Sequence, residues 1–279
     1  MLSIFTTYTN PEKRMDPWKE ALNCYQDFAD EVVVTGESWR DEFTWKEIGE
    51  TFQEGFDQAR GDWVIRMDID YFLNEKYKEK LYNALKKSID FPAIALPQYQ
   101  FFSVDRFHLK TRLCIVLNKK YFPDIRLNGG GDFCLATVNN KLITPESVPN
   151  FNIPIYQYDS MFRNKKVIAQ DRARFARAWF REFGDYGVRG GPEESEAFDA
   201  WFSEIKNKYS EHTHKIKFER HPKYIQKKLM NLKIDQFGYS MFEFKNQYQS
   251  TFRKVIKGKK DKYLGHYINN FNASKDDYF

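Results

Sequence analysis

The chain has 279 residues, a formal net charge of +5, 42% hydrophobic and 30% charged residues. That hydrophobic share can bury a sizeable core, which excludes a disordered chain, and the length exceeds one ordinary compact domain, so a second substructure is expected. Three scattered cysteines, Cys24, Cys114 and Cys134, exclude a disulfide framework and a cysteine zinc site, and no apolar run approaches a membrane span.

A mean hydropathy of −0.70 and a polar-studded N-terminus without a signal-peptide segment lead to an expectation of cytoplasmic residence. Residues 2–6 read as a strand. Asp16 is expected to cap a helix that has Pro17 at its first position and Trp18, Ala21, Leu22, Tyr25 and Phe28 on its apolar face. Residues 31–35 form the second strand signal. Trp45, Ile48, Phe52, Phe56 and Ala59 then recur at helical spacing over 44–59, with Gly61 placed to stop that helix.

Residues 59–73, ARGDWVIRMDIDYFL, are the most informative stretch. The apolar run 63–67 predicts a strand covered on both faces, and two acids, Asp68 and Asp70, close it. In open α/β sheets ligands bind outside the carboxyl ends of strands, so acids placed there face a crevice. Period-2 spacing sets both carboxylates on one side if the extended geometry continues. Their oxygens suit a hard divalent cation, Mg2+ or Mn2+. Taken alone, two acids after a strand more often mark a turn or a helix cap than a metal site.

Further on, a helix is expected over 76–88 and strands over 93–96 and 112–118. This alternation argues for an α/β fold with a mainly parallel central sheet and helices on both faces. The glycine-rich loop 126–133 carries Asp132, and 153–159 reads as a final core strand containing Gln157 and ending at Asp159. A long helix over about 164–183 has Arg172, Arg174, Arg177 and Arg181 along it, read as a solvated charged face, and another helix covers 193–209. The pair His212 and His214 is read as a solvated loop. From 215 to 262 aromatics interleave with Lys227, Lys228, Lys254, Lys257, Lys259 and Lys260, read as a helical extension with a basic face. Four aromatics, Tyr99, Phe101, Phe102 and Phe107, lie where acceptor contacts could occur.

Residues 2–10 (LSIFTTYTN), 29–38 (ADEVVVTGES), the Gln53 to Trp63 helix-and-turn and Asp68-Ile-Asp70 resemble, in order, the nucleotide-binding half of the family 2 glycosyltransferases, whose fold is called GT-A. The resemblance implies a GT-A-like sandwich over 1–160, with 161–279 as a helical, basic region packed on it. It implies a nucleotide-sugar donor (UDP, GDP or dTDP sugar) contacted by Thr6, Tyr8, Thr35, Glu37, Arg66 and Asp68, and a cation held by Asp68, Asp70 and Gln157. It also implies a glycan or other hydroxyl acceptor deprotonated by Asp132, with Asp159 in reserve, and transfer with inversion. Thr35 stands where the family has a base-contacting Asp, and Gln157 where many relatives have His. Two alternatives stay open: a sugar-phosphate nucleotidyltransferase, and a non-catalytic protein whose basic region holds nucleic acid or an anionic surface. Nucleic acid is not favoured, since no motif for it is visible; peripheral contact with an anionic membrane through the basic region is left open.

Overall fold

The computed structural model describes residues 1–37, 40, 42–128, 135–158, 160–211 and 213–232. Its elements are β1 (Leu2–Thr7), α1 (Trp18–Phe28), β2 (Glu31–Thr35), α2 (Trp45–Gln58), β3 (Trp63–Arg66), β4 (Tyr71–Leu73), α3 (Lys78–Lys87), β5 (Ala93–Ser103) and β6 (Arg106–Asn118). There follow β7 (Arg126–Asn128), β8 (Leu135–Val138), β9 (Lys141–Leu142), β10 (Ile155–Gln157), α4 (Lys165–Phe183), α5 (Glu194–Glu211), β11 (Thr213–Lys215) and α6 (Lys223–Met230).

The main sheet has the order β2-β1-β3-β6-β5-β10-β4, with β11 added to β6. Strands β2, β1 and β3 are parallel, and β5 and β10 are parallel to each other, while β6 and β4 run against their neighbours. The protein is thus α/β with a mixed sheet. The longest antiparallel pairing is the β5–β6 hairpin, of which only the two ends carry strand signals in the sequence. Pro97 and the polar Gln98 and Gln100 interrupt the apolar run, yet the strand continues through register shifts on either side of Pro97.

Apolar side chains cover both faces. On one, Tyr25 and Phe28 of α1, Leu81 and Leu85 of α3, Phe198 of α5 and Leu229 of α6 pack on the sheet. On the other, Ile48, Phe52 and Phe56 of α2 pack with Leu127 of β7 and Ala178 of α4. Each fully buried large side chain contributes about 1.5–3 kcal/mol, so helices of modest intrinsic propensity are held by their apolar faces.

Local signals place these helices. Thr44 caps α2 in a reciprocal box with Glu47, Asn164 caps α4 through the Val167 amide, and Gly184, at φ 78°, closes α4 in the left-handed region. Two local expectations are corrected. Asp16 does not cap α1, whose N-cap is Pro17; its carboxylate is taken by arginines. Gly61 does not end α2, which stops at Gln58; a side chain at 61 would meet Ser3 N and Trp63 O at 2.6 Å, so glycine is needed for close packing of the turn against β1.

The small sheet β7-β8-β9 and the edge strand β11 lie where the sequence reads as loop. His214 sits in β11 against the Phe107 ring, at 5.3 Å between centroids, rather than in a solvated loop. His212, Cys134 and the basic stretch from 233 onward lie outside the described residues. Among the described residues no helix is long and apolar enough to cross a membrane.

Candidate active site

A cavity of about 620 Å³ opens at the carboxyl ends of β1, β3 and β10, floored by Tyr8, Asp68, Asp70 and Gln157 and roofed by α4 and α5. This is where an α/β sheet leaves room for a ligand. The acids do not reach it by strand alternation, because β3 ends at Arg66 and the chain turns at once. Tyr71 N donates to Asp68 O at 2.8 Å, closing a tight turn, and β4 then pairs antiparallel with β10.

Several contacts hold that turn. Tyr158 N donates to Asp70 O at 3.0 Å, tying it to the end of β10. The Tyr25 hydroxyl of α1 lies 2.6 Å from Asp68 O and 2.9 Å from Tyr71 O, within reach of both carbonyls. Burial pushes the Tyr25 phenol well above its usual range, so it remains a donor at neutral pH. Arg66, buried under the turn with its guanidinium 4.8 Å from the Phe52 ring centroid, donates to Asp68 Oδ1 at 3.0 Å.

The donor set fits a hard cation completed from outside. Among the described residues no three His, Cys, Asp or Glu side chains gather into a cage. Two carboxylates facing a cavity are nonetheless what Mg2+ commonly uses when waters and substrate phosphates supply the rest. Gln157 is the weaker partner. Its Oε1 already accepts from Gln98 Nε2 at 2.6 Å, and Gln98 Nε2 also lies 3.0 Å from the Tyr71 hydroxyl, so one lone pair of that oxygen is committed.

Of the other residues singled out in the sequence, Tyr8 lines the cavity, while Thr6, Thr35, Glu37 and Arg66 do not. Thr6 and Thr35 are buried in the sheet, and Glu37 is exposed after β2. Asp132 and Asp159 lie outside the described residues. Of the four aromatics read as acceptor contacts, Phe102 lines the cavity; Tyr99 stacks on Phe107 and Phe101 packs tilted against it in the core.

The sequence reading missed the ionic frame of the site. Arg163, just before α4, donates from Nε to Asp16 Oδ1 at 3.0 Å and from Nη1 to Asp171 Oδ2 at 3.1 Å. Arg14 completes the ring, reaching Asp16 Oδ2 at 3.2 Å and Asp171 Oδ1 at 2.8 Å. Burial alone would raise the Asp171 carboxyl; Arg14, Arg163, Arg172 and Arg174 overcome it and hold the group below the ordinary carboxylate range. At the far end of α4, Arg177 Nε and Arg181 Nη1 each reach Glu42 at 3.0 Å, clasping the β2–α2 loop to the helix.

The arginines of α4 therefore divide. Arg177 and Arg181 make that clasp, while Arg172 and Arg174 point into the cavity, correcting the reading of one solvated face. Beside them an aromatic wall forms from Phe43, Trp45, Phe175, Trp179 and Phe183, with Trp45 and Trp179 edge to face at 5.6 Å. A helical wheel marks Phe175, Trp179 and Phe183 as one face of α4 but does not show that Phe43 and Trp45 meet them across the cavity.

No family model matches the chain, and no curated protein does. Among solved structures, S. aureus TarS 1-349 is similar at 11% identity over 90% of this chain and 89% of that one, with a TM-score of 0.36. The same fragment in complex with UDP-GlcNAc is similar at 12% identity over 99% and 89%, with a TM-score of 0.37. In complex with UDP it is similar at 11% identity over 90% and 89%, with a TM-score of 0.34. Likeness at that level carries no weight for what this chain does.

Proposed function

We propose that the chain is a glycosyltransferase that moves a sugar from a nucleotide-sugar donor to a hydroxyl acceptor, aided by Mg2+ or Mn2+ at Asp68 and Asp70. One observation carries this reading: a pinned turn presents two carboxylates, with Gln157 from the neighbouring strand, to a cavity at the carboxyl edge of the sheet. A bound divalent cation would supply charge neutralisation for a leaving nucleoside diphosphate.

The chain's own groups do the rest. Arg66, paired with Asp68, fixes one carboxylate oxygen and adds positive charge beneath the floor. The aromatic wall of Phe43, Trp45 and Trp179 receives the nucleobase, which in the family is contacted by an Asp where this chain has Thr35. A sugar hydroxyl is a poor nucleophile until a base draws off its proton, and Asp132 or Asp159 serves as that base. Attack from the side opposite the diphosphate inverts the anomeric carbon.

The test is thermal stabilisation by UDP, GDP, CDP and dTDP sugars with and without Mn2+. We expect one nucleotide to raise the melting temperature only with the cation, and Asp70→Asn to abolish that gain while the unliganded variant melts close to the parent. Cation-independent stabilisation, or an unaffected Asp70→Asn, would overturn the cation assignment.

A further inference from the structure

The charge of the cavity wall is uneven. Arg14 and Arg163 are matched by Asp16 and Asp171 in the buried ring, and Asp68 and Asp70 are the proposed cation ligands. Among the described residues, the other charged groups of the wall are Lys110, Arg172, Arg174 and Arg189 against Glu204, so there the positive charge is in excess once a cation occupies the floor.

Two of these guanidiniums lie over tryptophans. Arg172 Cζ is 5.2 Å from the Trp201 ring centroid and its Nη2 donates to Ser160 Oγ at 3.4 Å. Arg189 Cζ is 3.5 Å from the Trp179 centroid. The Arg189 guanidinium lies in contact with the Trp179 ring and that of Arg172 beside Trp201, and the N–H fork of such a guanidinium suits planar or tetrahedral oxyanions. Burial, and then the nearby charge of Arg172, lowers the Arg189 guanidinium from its usual value, Asp185 acting in the opposite sense. Two like charges are thus held together at a half-buried site, an arrangement an anion between them relieves. Phe102 packs against Trp201 at 6.4 Å between centroids and also lines the cavity, so an apolar platform adjoins the cationic one.

Resting on the transferase reading, we propose that the acceptor is a saccharide bearing an anionic group, phosphate or carboxylate, which Arg172 and Arg189 seat while Trp201 and Phe102 pack against the sugar. The competing use of the same arginines, gripping the donor's own diphosphate, predicts a different pattern of losses.

The experiment uses the full chain, ligand-observed NMR titrations of mannose 6-phosphate, glucuronate and mannose, and a parallel titration of the stabilising nucleoside diphosphate with Mn2+. The anionic sugars are expected to bind and mannose to bind far more weakly; the tighter of the two anions identifies the group. Arg172→Gln and Arg189→Gln should each weaken anionic-sugar binding roughly tenfold, the loss of a charge-assisted contact. Neither should change affinity for the nucleoside diphosphate with Mn2+. Arg172→Lys, which keeps the charge but not the fork, should fall between parent and Arg172→Gln, and Asp70→Asn should show the reverse selectivity. Binding of mannose as tight as that of both anionic sugars overturns the proposal. Loss of nucleoside diphosphate affinity in the arginine variants overturns it as well, since the roof then serves the donor. A parent chain that holds anionic sugars but no nucleoside diphosphate with Mn2+ defeats the transferase reading and leaves the anion seat standing.

Discussion

Replacing Arg163 by Met tests whether the ring of Arg14, Asp16, Arg163 and Asp171 holds α4 over the cavity. The side chains of Asp16, Arg163 and Asp171 are 1%, 7% and 9% exposed, whereas Arg14 is 29% exposed. Removing one partner of a buried charge pair costs about 3–5 kcal/mol, because the remaining charge stays desolvated. Arg14 still touches both carboxylates, which places Arg163→Met at the lower end, about 3 kcal/mol. At about 2–4 °C per kcal/mol for a chain of this order of size, the melting temperature falls by about 6–12 °C. Arg14→Met, at a screened position, should cost about 1 kcal/mol. Urea unfolding followed by tryptophan fluorescence reads both. The pH dependence has a defined sign: Asp171 is held low in the fold, so the unfolded chain binds more protons, and the ring's contribution is lost as pH falls below about 4. An Arg163→Met variant within 1 kcal/mol of the parent, or one that costs no more than Arg14→Met, would refute the idea that the ring anchors the helix.

Other outcomes follow from single contacts. Gly61→Ala should destabilise by about 1–3 kcal/mol, since a methyl there meets backbone atoms that cannot swing away; equilibrium unfolding checks it. Thr44→Ala, which removes the capping box of α2, should cost about 1 kcal/mol in the same assay. His221 is buried, with Nε2 2.8 Å from Val104 O and Nδ1 2.7 Å from the Tyr158 hydroxyl, and burial lowers its pKa despite the Val104 contact. The unfolded chain then takes up the proton first, so stability should decline as pH drops below about 6.5. In His221→Gln that part of the pH profile should flatten.

Local periodicity made the first half of the chain readable. The helices 18–28 and 45–58 and the strands that flank them each carry their own apolar face, and the second helix its own cap, so no distant residue is needed to recognise them. The acid pair was legible for the same reason, though the turn that aims it was not, since a turn and a continued strand share the run Met67-Asp-Ile-Asp70. The β5–β6 hairpin was read only at its ends because Gln98, Gln100, Arg106 and His108 are buried polar groups, which a hydrophobic pattern scores as surface. The ionic ring was out of reach altogether, as Arg14 and Asp171 lie 157 positions apart in the chain and meet only in the folded protein. Arg172 and Arg174 look like their neighbours Arg177 and Arg181 in sequence, and only the position of the other helices separates their roles.

The attachment of α4 bears on how solutes reach the cleft. With one end riveted by four alternating charges and the other buckled to Glu42, this helix is a fixed beam, and swinging it aside would strand carboxylates away from their counterions. Val188 and Phe183, which border the cavity, are 72% and 49% exposed. The width of the cleft beneath α4 is therefore set by this anchored frame, and the two exposed side chains belong to its rim.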